Sequence, residues 1–562
     1  MNDIKISGAE ALLKSLMEEG VDTIFGYPGG TIMPLYDKLF DYQNKINHIL
    51  VRHEQGAVHA AEGYSRASGK VGVCFATAGP GATNLVTGIA DALMDSTPIV
   101  CITAQVAKSN LGTNVFQEAD TLGITNPITK WSYEITHAEE VTSIISKAFH
   151  IARSGRPGPV LVSITRNAQV EQTEYRYEKY RHEIRKPRLE HTLDQLKEVA
   201  ELLNTAERPM IIVGRGVTIS GAEEQLRKLA EQGNIPVVSS LLGISAFPTE
   251  HPLFHGNVGM HGNYAPNIMT QNADIILSVG MRFSDRVTGI PAQYAPKAKI
   301  VQIDIDHTEI GKTVKVDIPL IGDAKAILSA LLPNVEHRNH DEWLQFINSL
   351  KDIEYDKVTK RIINRNNDPI SMGAVVSSVS RCSGGKVIVV TDVGQHQMFA
   401  ALYSQFTQPR SFITSGGLGT MGFGLPAAIG AKVAMPGSEV VLFSGDGGLQ
   451  MSIQELGTIM QSNIGVKIVL LNNGYLGMVR QWQEIFFDKR YSFTQLVNPN
   501  FIKIAEAYGI HGKRVEKYRQ LENAVQQMLN HDGPYILEVV VESEENVFPM
   551  VPSGASLDEI LM

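Results

Sequence analysis

Short apolar runs alternate with amphipathic stretches along the chain, as strands and helices do when they follow one another. Near the N-terminus, Ser7 and Glu10 have the spacing of a helix capping box, and apolar residues recur at helical intervals until Gly20. Further runs are rich in β-branched residues and predict buried strands. They lie at 23–25, 71–75, 99–102, 160–164, 210–213, 236–239, 275–279, 300–303, 387–390, 440–443, 466–471 and 535–541. This alternation predicts βαβ units and parallel sheets.

The predicted strands fall into three blocks, and a chain of 562 residues has room for about three domains. The predicted fold class is therefore α/β, with three doubly wound parallel-sheet domains. A charged stretch with interleaved tyrosines after residue 170 is interpreted as a solvated linker rather than a nucleic-acid site. The predicted division is 1–170, a linker at 171–191, 192–335, a linker at 336–368, 369–542, and a tail at 543–562 that folds over the body.

Composition narrows the class of protein without pointing to a reaction. The net charge of -9 is mild for this length and argues against nucleic acid as a partner. The three cysteines, Cys74, Cys101 and Cys382, have no metal-binding spacing and suit a reducing compartment. No signal core opens the chain, and no apolar run reaches the roughly 20 residues that a membrane helix needs. We expect a cytoplasmic protein with no membrane partner.

Two polar clusters follow neighbouring predicted strands. Gly445, Asp446 and Gly447 come directly after the run 440–443, and Asn473 follows the run 466–471. Both clusters should lie at the carboxyl edge of one parallel sheet, where open α/β sheets bind ligands. Carboxylate and amide oxygens are ligands that Mg²⁺ prefers, and glycines let the backbone approach phosphates. The spacing predicts a site for a metal-bound diphosphate.

The Gly-Asp-Gly and Asn-Asn pair resembles the signature of thiamine-diphosphate enzymes. That chemistry needs a carboxylate that hydrogen-bonds the aminopyrimidine ring and promotes the imino tautomer. Glu54 follows the apolar run 49–51 and precedes a helical stretch. A glutamate at a helix N-terminus is often only a favourable partner of the helix dipole. Beside a thiamine-diphosphate signature, we expect Glu54 to be the catalytic carboxylate.

Nearly the whole chain is similar to one family, the large catalytic subunits of acetohydroxyacid synthase (acetolactate synthase). The resemblance rests on motifs in a fixed order, each of which is weak by itself. They are Phe-Gly-Tyr-Pro-Gly-Gly at 25–30, 52–57, Gly-Pro-Gly-Ala-Thr-Asn at 79–84, Phe-Gln-Glu at 116–118, 154–159, Asp-Val-Gly-Gln-His-Gln at 392–397, 414–426, 477–482 and Pro-Met-Val-Pro at 549–552. The resemblance implies two thiamine-diphosphate-binding domains that flank an FAD-binding domain.

The family pattern implies a role for each matching residue. Asp446, Asn473 and the main-chain carbonyl of Tyr475 would bind Mg²⁺, and Met421 would force the cofactor into a bent shape. Gln117 and a backbone N–H near Gly29 would stabilise negative charge on the substrate oxygen, and Gly29, Gln117 and Glu54 are together the implied catalytic residues. The implied thiamine-diphosphate residues are Glu54, Val393, Gly394, Gln395, His396, Gly419, Met421, Gly445, Asp446, Gly447, Asn473, Tyr475, Met478 and Val479. The implied substrate residues are Phe116, Gln117, Arg286, Met478 and Trp482.

Trp482 is the position that favours 2-ketobutyrate as acceptor in this family, and Arg286 suits the acceptor carboxylate. A surface ion pair is the alternative for Arg286. The segment Arg-Phe-Ser-Asp-Arg at 282–286 implies bound FAD and the biosynthetic rather than the catabolic branch of the family. The implied FAD residues are Arg156, Gly214, Gly216, Met260, His261, Gly262, Gly280, Arg282, Asp285, Arg286, Val287, Asp304, Ile305 and Asp323.

Four positions depart from the usual family pattern. Arg215 stands where a glycine is usual, and Ser284 where an aspartate is usual; both weaken the implication of FAD. Asn114 replaces an aspartate, and Arg166 replaces a lysine in a Pro-Lys-Asp motif. These two lie near the expected substrate entrance. None of the four departures removes a catalytic group.

The family implies an enzyme that decarboxylates pyruvate and ligates the hydroxyethyl unit to pyruvate or 2-ketobutyrate. The products would be 2-acetolactate or 2-aceto-2-hydroxybutyrate, in the first common step of branched-chain amino-acid biosynthesis. It also implies thiamine diphosphate, Mg²⁺ and a structural FAD, and a homodimer or homotetramer whose active sites lie at the dimer interface. A small regulatory subunit is a further implied partner.

Three alternatives stay open on the sequence. A pyruvate oxidase would use the same scaffold with FAD as an electron acceptor, although Trp482 and the segment 549–552 argue against it. A non-catalytic relative is disfavoured by the intact Glu54, Asp446 and Asn473. A nucleotide-binding module would need a P-loop Gly-Lys-Ser/Thr, which the chain lacks.

Overall fold

The computed structural model describes residues 5–181, 192–363 and 368–562. It contains three six-stranded sheets in which every neighbouring pair of strands is parallel. The predicted fold class, three parallel-sheet α/β domains, is therefore confirmed. Residues 182–191 of the first predicted linker and 364–367 of the second lie outside the described residues.

The N-terminal domain carries the sheet order β3-β2-β4-β5-β7-β6. A separate antiparallel pair, β1 with β8, joins the first strand of this domain to its last. The strands are β1 Lys5–Ser7, β2 Thr23–Gly26, β3 Asn47–Leu50, β4 Gly72–Ala76, β5 Ile99–Gln105, β6 Trp131–Ile135, β7 Val160–Thr165 and β8 Gln172–Glu174. The helices are α1 Gly8–Glu18, α2 Met33–Phe40, α3 Glu54–Ser68, α4 Pro80–Thr83, α5 Val86–Met94, α6 Thr121–Thr125, α7 Val141–Arg153 and α8 Arg166–Val170.

The central domain has the sheet order β11-β10-β9-β12-β13-β14, which is the 3-2-1-4-5-6 order of dinucleotide-binding folds. Its strands are β9 Pro209–Val213, β10 Val237–Ser239, β11 Phe254–Asn257, β12 Ile275–Val279, β13 Lys299–Asp304 and β14 Ile318–Ile321. Its helices are α9 Thr192–Thr205, α10 Gly216–Ser220, α11 Glu223–Gly233, α12 Tyr264–Asn272, α13 Asp285–Thr288 and α14 Ala324–Leu331.

The segment 336–363, read from the sequence as linking, contains α15 Asp341–Glu354 and α16 Lys360–Ile363. Trp343, Ile347 and Leu350 recur at helical spacing and are buried in the core of the central domain. The indole of Trp343 also donates to the Pro209 carbonyl at 3.0 Å. Helix α15 is thus part of the body of the central domain, whereas Ile362 of α16 is buried in the core of the C-terminal domain.

The C-terminal domain has the order β16-β15-β17-β18-β20-β19, which repeats the connectivity of the N-terminal sheet strand for strand. Its strands are β15 Ile388–Thr391, β16 Phe412–Ile413, β17 Val440–Gly445, β18 Val466–Asn472, β19 His511–Val515 and β20 Tyr535–Val540. Its helices are α17 Met372–Ser383, α18 Gln395–Tyr403, α19 Gly424–Ala434, α20 Asp446–Met451, α21 Leu456–Ser462, α22 Gly477–Phe486, α23 Phe501–Ala507 and α24 Tyr518–Asn530.

Helices α3 and α19 form the main contact between the N-terminal and C-terminal domains. Both are mostly buried, and one glycine of each, Gly63 and Gly430, faces the opposite backbone. A Cβ added at Gly430 would come within 1.8 Å of the Ala60 carbonyl oxygen, and one at Gly63 within 2.0 Å of the Ala427 carbonyl oxygen. The two helices therefore approach at backbone distance, which only glycine permits at these positions.

The tail returns to the central domain. Met550 pairs with Leu561 in an isolated bridge, and the Val551 amide donates to the Met260 carbonyl at 2.8 Å. Val551 and Leu557 are buried in the central core. Among the described residues, no helix is long and apolar enough to cross a membrane.

Candidate active site

One cavity of about 900 Å³ opens between the central and C-terminal domains, and residues 94–96 and 155–157 of the N-terminal domain close one side. It lies at carboxyl ends of strands in two sheets. In the C-terminal sheet the strand order reverses between β15 and β17, and in the central sheet between β9 and β12. Such reversal points leave a crevice that open α/β sheets use for ligands.

Asp446 and Asn473 stand at the C-terminal end of this cavity, where β17 and β18 end. The Asp446 carboxylate is 1% exposed and accepts the Gly474 amide at 2.9 Å and the Asn498 side-chain amide at 2.5 Å. Asn473 Oδ1 accepts the Tyr475 amide at 3.1 Å. Burial raises the pKa of Asp446, so a cation would stabilise its charged form. The donor set fits a hard divalent cation.

The turn after β15 forms a cradle beside these oxygens. Gly394 has a φ of 151°, and a Cβ there would lie 2.8 Å from the His396 ring. Gln395 Oε1 and His396 Nε2 are buried, line the cavity and have no partner among the described residues. Buried polar atoms without partners are costly, and a phosphate group with its water would satisfy them. The cradle fits a diphosphate.

Gly419 and Met421 belong to the loop between β16 and α19, and both line the cavity. Asp392 fixes the far end of this loop, since its carboxylate accepts the Gly422 amide at 3.0 Å and the Gly424 amide at 3.1 Å. Burial raises the pKa of Asp392 to about 6. The other predicted diphosphate residues, Val393, Gly394, Gln395, His396, Gly445, Gly447, Tyr475, Met478 and Val479, line the same cavity.

The crevice between β9 and β12 holds the predicted flavin residues. Here the turns after the two strands touch, and a Cβ at Gly216 would lie 2.5 Å from the Gly280 Cα. Gly214 also lies against Gly280, since a Cβ at Gly214 would lie 2.2 Å from the Gly280 carbonyl oxygen, but Gly214 does not line the cavity. His261 Nδ1 is buried and has no partner among the described residues. The predicted residues Arg156, Gly216, Met260, His261, Gly262, Gly280, Arg282, Asp285, Arg286, Val287, Asp304, Ile305 and Asp323 do line it.

Carboxylates sit at the outer end of the crevice, after β13 and β14. Asp304 accepts the Asp306 amide at 2.9 Å, and burial raises its pKa to about 6. Asp323 caps α14 by accepting the Ala326 amide at 3.0 Å. Arg156 reaches across from the N-terminal domain and pairs with Glu309 at 3.0 Å. Acceptors at strand ends in a fold of this order suit the hydroxyls of a ribose.

Trp482 and Arg286 meet where the two halves of the cavity join. The Arg286 guanidinium lies 6.0 Å from the centre of the Trp482 ring, at cation–π distance. Arg286 Nη1 is 3.1 Å from Met260 Sδ, and its Nε is 3.7 Å from an exposed Asp285 oxygen. Since that exposed ion pair is weak, the guanidinium can exchange it for another carboxylate.

Four predicted catalytic or substrate residues lie outside this cavity: Gly29, Glu54, Phe116 and Gln117. Glu54 is the first residue of α3, and its Oε2 accepts the Asn84 side-chain amide at 3.0 Å. A Cβ at Gly29 would lie 2.5 Å from the Thr77 side chain. Gln117 has a φ of 64°, and Phe116 is 87% exposed. Within one chain, this group therefore does not line the cavity that contains Asp446.

The structure also shows where the four residues that depart from the usual family pattern lie. Arg215 lines the cavity and donates to the Thr97 hydroxyl at 2.8 Å and to the Asp95 carbonyl. Asn114 has a φ of 56°, a conformation that Asn and Asp adopt more readily than most residues. Arg166 opens α8, and Ser284 precedes α13.

Two contributing residues had no signal in the sequence. Asn498 holds both Asp446 and Asn472 through its side-chain amide, at 2.5 and 3.0 Å, and belongs to no motif. Glu455 is buried and accepts the Arg52 amide at 3.1 and 3.2 Å, so it fixes the turn that precedes Glu54. Both contacts join segments that are distant along the chain.

Comparison with known proteins identifies the class. Residues 6–124 match the N-terminal TPP binding domain of thiamine pyrophosphate enzymes, 196–331 the central domain, and 392–539 the C-terminal TPP binding domain. Together with the sheets and the cavity at their edges, these matches define a thiamine pyrophosphate enzyme.

Relatives narrow the class to one family. The chain is 44% identical to the acetolactate synthase isozyme 2 large subunit of Escherichia coli (strain K12) over 562 residues, 99% of each chain. It is 44% identical to the acetolactate synthase large subunit of Lactococcus lactis subsp. lactis (strain IL1403), over 99% of this chain and 96% of that one. The same identity, over 99% and 95%, holds for a probable acetolactate synthase large subunit of Methanocaldococcus jannaschii. The chain belongs to the acetolactate synthase large-subunit family.

Proposed function

We propose that this chain is the catalytic subunit of an acetolactate synthase. It decarboxylates pyruvate and joins the remaining two-carbon unit to a second 2-keto acid, either pyruvate or 2-ketobutyrate. The observation that carries the proposal is the single cavity in which the Asp446 donor set, the Gly394 cradle and the Arg286–Trp482 pair converge. Relatives of this family at full length support the same reaction.

Each predicted group has a task in this reaction. Thiamine diphosphate, when bound, supplies the electron sink that lets a 2-keto acid lose CO₂. Asp446, Asn473 and the Tyr475 carbonyl would hold Mg²⁺ on its diphosphate. Arg286 would bind the acceptor carboxylate, and Trp482, Met478 and Val479 would give the acceptor pocket its apolar wall. Glu54 would hydrogen-bond the aminopyrimidine ring and move its proton.

The separation of Glu54 from the Asp446 cavity supports an active site built by two chains. Glu54, Gly29 and Gln117 of one chain would face the cavity of the partner and complete it. Exposed apolar side chains support a large buried interface of this kind, since Phe116 is 87% and Phe493 98% exposed. The enzyme is then at least a homodimer. The relatives are named as large subunits, which supports a small regulatory subunit as a further partner.

FAD is proposed for the β9–β12 crevice. The dinucleotide strand order, the glycines at 216 and 280, and the buried His261 nitrogen without a partner among the described residues support it. Because the overall reaction transfers no net electrons, the flavin would be structural. Protein purified without added flavin should be yellow and should release one FAD per chain on acid denaturation. A colourless protein that fails to bind added FAD would contradict this assignment.

Product analysis tests the function directly. The enzyme is given thiamine diphosphate, Mg²⁺ and FAD with pyruvate alone, and then with pyruvate plus 2-ketobutyrate. We expect 2-acetolactate in the first reaction and mainly 2-aceto-2-hydroxybutyrate in the second, because Trp482 favours the larger acceptor. Acetate or acetaldehyde without any ligation product would leave the cofactor site in place and overturn the proposed reaction.

A further inference from the structure

The loop that carries Gly419 and Met421, residues 415–421, is held chiefly by another domain. We call it the cofactor loop. Asp95, just after α5 of the N-terminal domain, accepts the Gly416 amide at 2.9 Å and the Gly417 amide at 2.7 Å. Asp91, within α5, accepts the Thr420 hydroxyl at 2.9 Å and the Ser415 hydroxyl. Two carboxylates thus bind the loop at both ends.

These contacts are buried, so they are stronger than the same bonds in water. Asp91 and Asp95 are 0% and 1% exposed. Arg66 pairs with Asp95 at 3.0 Å and neutralises it. The Ser415 hydroxyl also accepts the Thr420 amide at 2.9 Å, which closes the loop on itself. No reacting group is part of this arrangement, and none of the family motifs contains Asp91 or Asp95.

A third carboxyl, Glu62 of α3, lies beside Asp91. Glu62 Oε2 and Asp91 Oδ2 are both buried and have no partner among the described residues. Glu62 Oε1 is 2.9 Å from His59 Nδ1, and oxygens of Glu62 and Asp91 lie within 4.8 Å of each other. One proton on Glu62 Oε2, directed at Asp91, would satisfy both unpaired oxygens.

The charges around this pair favour that proton. Burial and the neighbouring Asp91 raise the pKa of Glu62 well above its usual range, and burial raises the pKa of Asp91 to about 6. Burial lowers the pKa of His59 to about 3, so this ring is neutral. The other charged or titratable groups that face the pair are Arg66, Asp95, Arg215 and Cys101. With Arg66 already paired to Asp95, two ionised carboxylates would remain poorly compensated.

We propose that Asp91 and Asp95 are positioning residues that hold the cofactor loop in its binding shape. We call their hydrogen bonds to the loop the clasp, and a proton shared by Glu62 and Asp91 keeps the clasp closed. The proposal rests on the proposed function only in assigning the loop to thiamine diphosphate. It gives the N-terminal domain a second task besides supplying Glu54. The domain shapes the cofactor site of its own chain.

Amide hydrogen exchange of the protein without cofactor tests the clasp itself. We expect Asp91→Ala, which removes the acceptor of both loop hydroxyls, and Asp95→Asn, which keeps only one of two acceptors, to raise exchange of the 416–421 amides at least about tenfold, as lost buried hydrogen bonds expose them. Thr420→Val removes one donor and leaves both carboxylates, so it should raise exchange about threefold without affecting folding. Asp274→Asn is the matched control, because Asp274 accepts the Glu207 and Arg208 amides far from the loop. Unchanged loop exchange in Asp95→Asn and Thr420→Val would overturn the proposal.

Calorimetric binding of thiamine diphosphate with Mg²⁺ tests the shared proton. As the pH is raised from neutral into the alkaline range, we expect the wild-type protein to lose affinity, because Glu62 releases its proton. Glu62→Gln should hold its affinity across this range, since its amide hydrogen stays on Asp91 and its oxygen on His59. An equal loss in both proteins contradicts the shared proton, as does a stoichiometric metal ion that Glu62→Gln removes. A wild-type protein that binds thiamine diphosphate but makes no acetolactate refutes the proposed function and leaves the clasp standing.

Discussion

Glu54 combines a chemical task with a fixed backbone position. It is the first residue of α3, its carboxylate accepts the Asn84 amide at 3.0 Å, and Glu455 holds the preceding turn through the Arg52 amide. A carboxylate at a helix N-terminus gains only a fraction of a kcal/mol from the helix dipole. The contacts that orient Glu54 come from two separate segments. A residue that only stabilised the N-terminus of the helix would not need them.

Replacing Glu54 with Gln tests its proposed role. We expect turnover to fall about 10²- to 10³-fold at saturating cofactor, because glutamine cannot move a proton. The thermal transition should stay within about 2 °C, since the amide oxygen still accepts from Asn84. Steady-state rates and differential scanning calorimetry measure both, with Glu506→Gln on the exposed face of α23 as control. Undiminished turnover would rule out the role.

Asp304 predicts a pH dependence of stability. Its pKa rises to about 6 in the folded chain from an ordinary value near 4. Between these values the folded state holds a proton that the unfolded state has released, so the contribution of Asp304 to stability declines as pH rises. Asp304→Asn removes this effect and keeps the acceptor for the Asp306 amide. The variant should be more stable than wild type by up to about 3 kcal/mol above pH 6, with the difference vanishing near pH 4.

Urea unfolding of both proteins without cofactor, measured from pH 4 to 8, gives this difference. A constant offset across the range would mean that the carboxylate is not destabilised by burial. The reverse slope would mean that Arg156, 3.0 Å from Glu309 and 3.6 Å from Asp306, compensates Asp304 more than burial penalises it.

At the scale of elements, the crossing of α3 and α19 joins two domains through backbone contact. The Cβ position of Gly430 is 1.8 Å from the Ala60 carbonyl oxygen, and that of Gly63 is 2.0 Å from the Ala427 carbonyl oxygen. Both neighbouring atoms belong to the backbone, so a Cβ at either glycine would fit only if the two helices moved apart. Since α3 begins at Glu54 and α19 follows the cofactor loop, such a shift displaces both.

Gly430→Ala should therefore destabilise the protein strongly. Overpacking of a rigid contact costs about 1–3 kcal/mol, and here the lost contact spans two domains. We expect a lower thermal transition and weaker binding of thiamine diphosphate together. Gly437→Ala is the control, because nothing lies within 4 Å of a Cβ at Gly437. Equal thermal transitions in the two variants would show that the helices can separate without cost.

At the scale of the whole molecule, the proposed active site needs two chains. Glu54 and Asp446 lie on different domains, and only Asp446 lines the large cavity of its own chain. A chain with Glu54→Gln and a chain with Asp446→Ala should each be inactive by itself. In a mixed dimer, one site carries both defects and the other carries neither.

Co-expression of the two variants in equal amounts should therefore restore about a quarter of the wild-type activity, since about half the dimers are mixed and each has one intact site of two. Activity per chain, measured on the unseparated mixture, checks this, and mixed dimers isolated through two different tags should show about half of the wild-type activity. Recovery that stays at the level of the separate variants would place both residues in one chain's site and refute the shared arrangement.

The sequence determined the fold class and the thiamine-diphosphate class of the protein, because both depend on local patterns. Buried parallel strands are continuous apolar runs, so the central strands β4, β5, β9, β12, β17 and β18 were recognisable, and the polar residues that follow them fall at the sheet edge by geometry. Strands with polar or short sequences escaped this reading. β19, His511–Val515, has mostly exposed or half-exposed side chains, and β16 has two residues.

Only the tertiary structure decided how the blocks meet. Asn498 on Asp446, Glu455 on the turn before Glu54, and Asp91 and Asp95 on the cofactor loop all join segments dozens to hundreds of residues apart. Such contacts leave no periodicity or spacing in the sequence, since each partner is an ordinary polar residue in its own segment. The charged segment before residue 368 likewise reads as a linker until Trp343 is seen buried against the central sheet. Local sequence specifies what an element is and which ligands it suits, whereas side-chain bonds between elements depend on packing that the whole chain determines together.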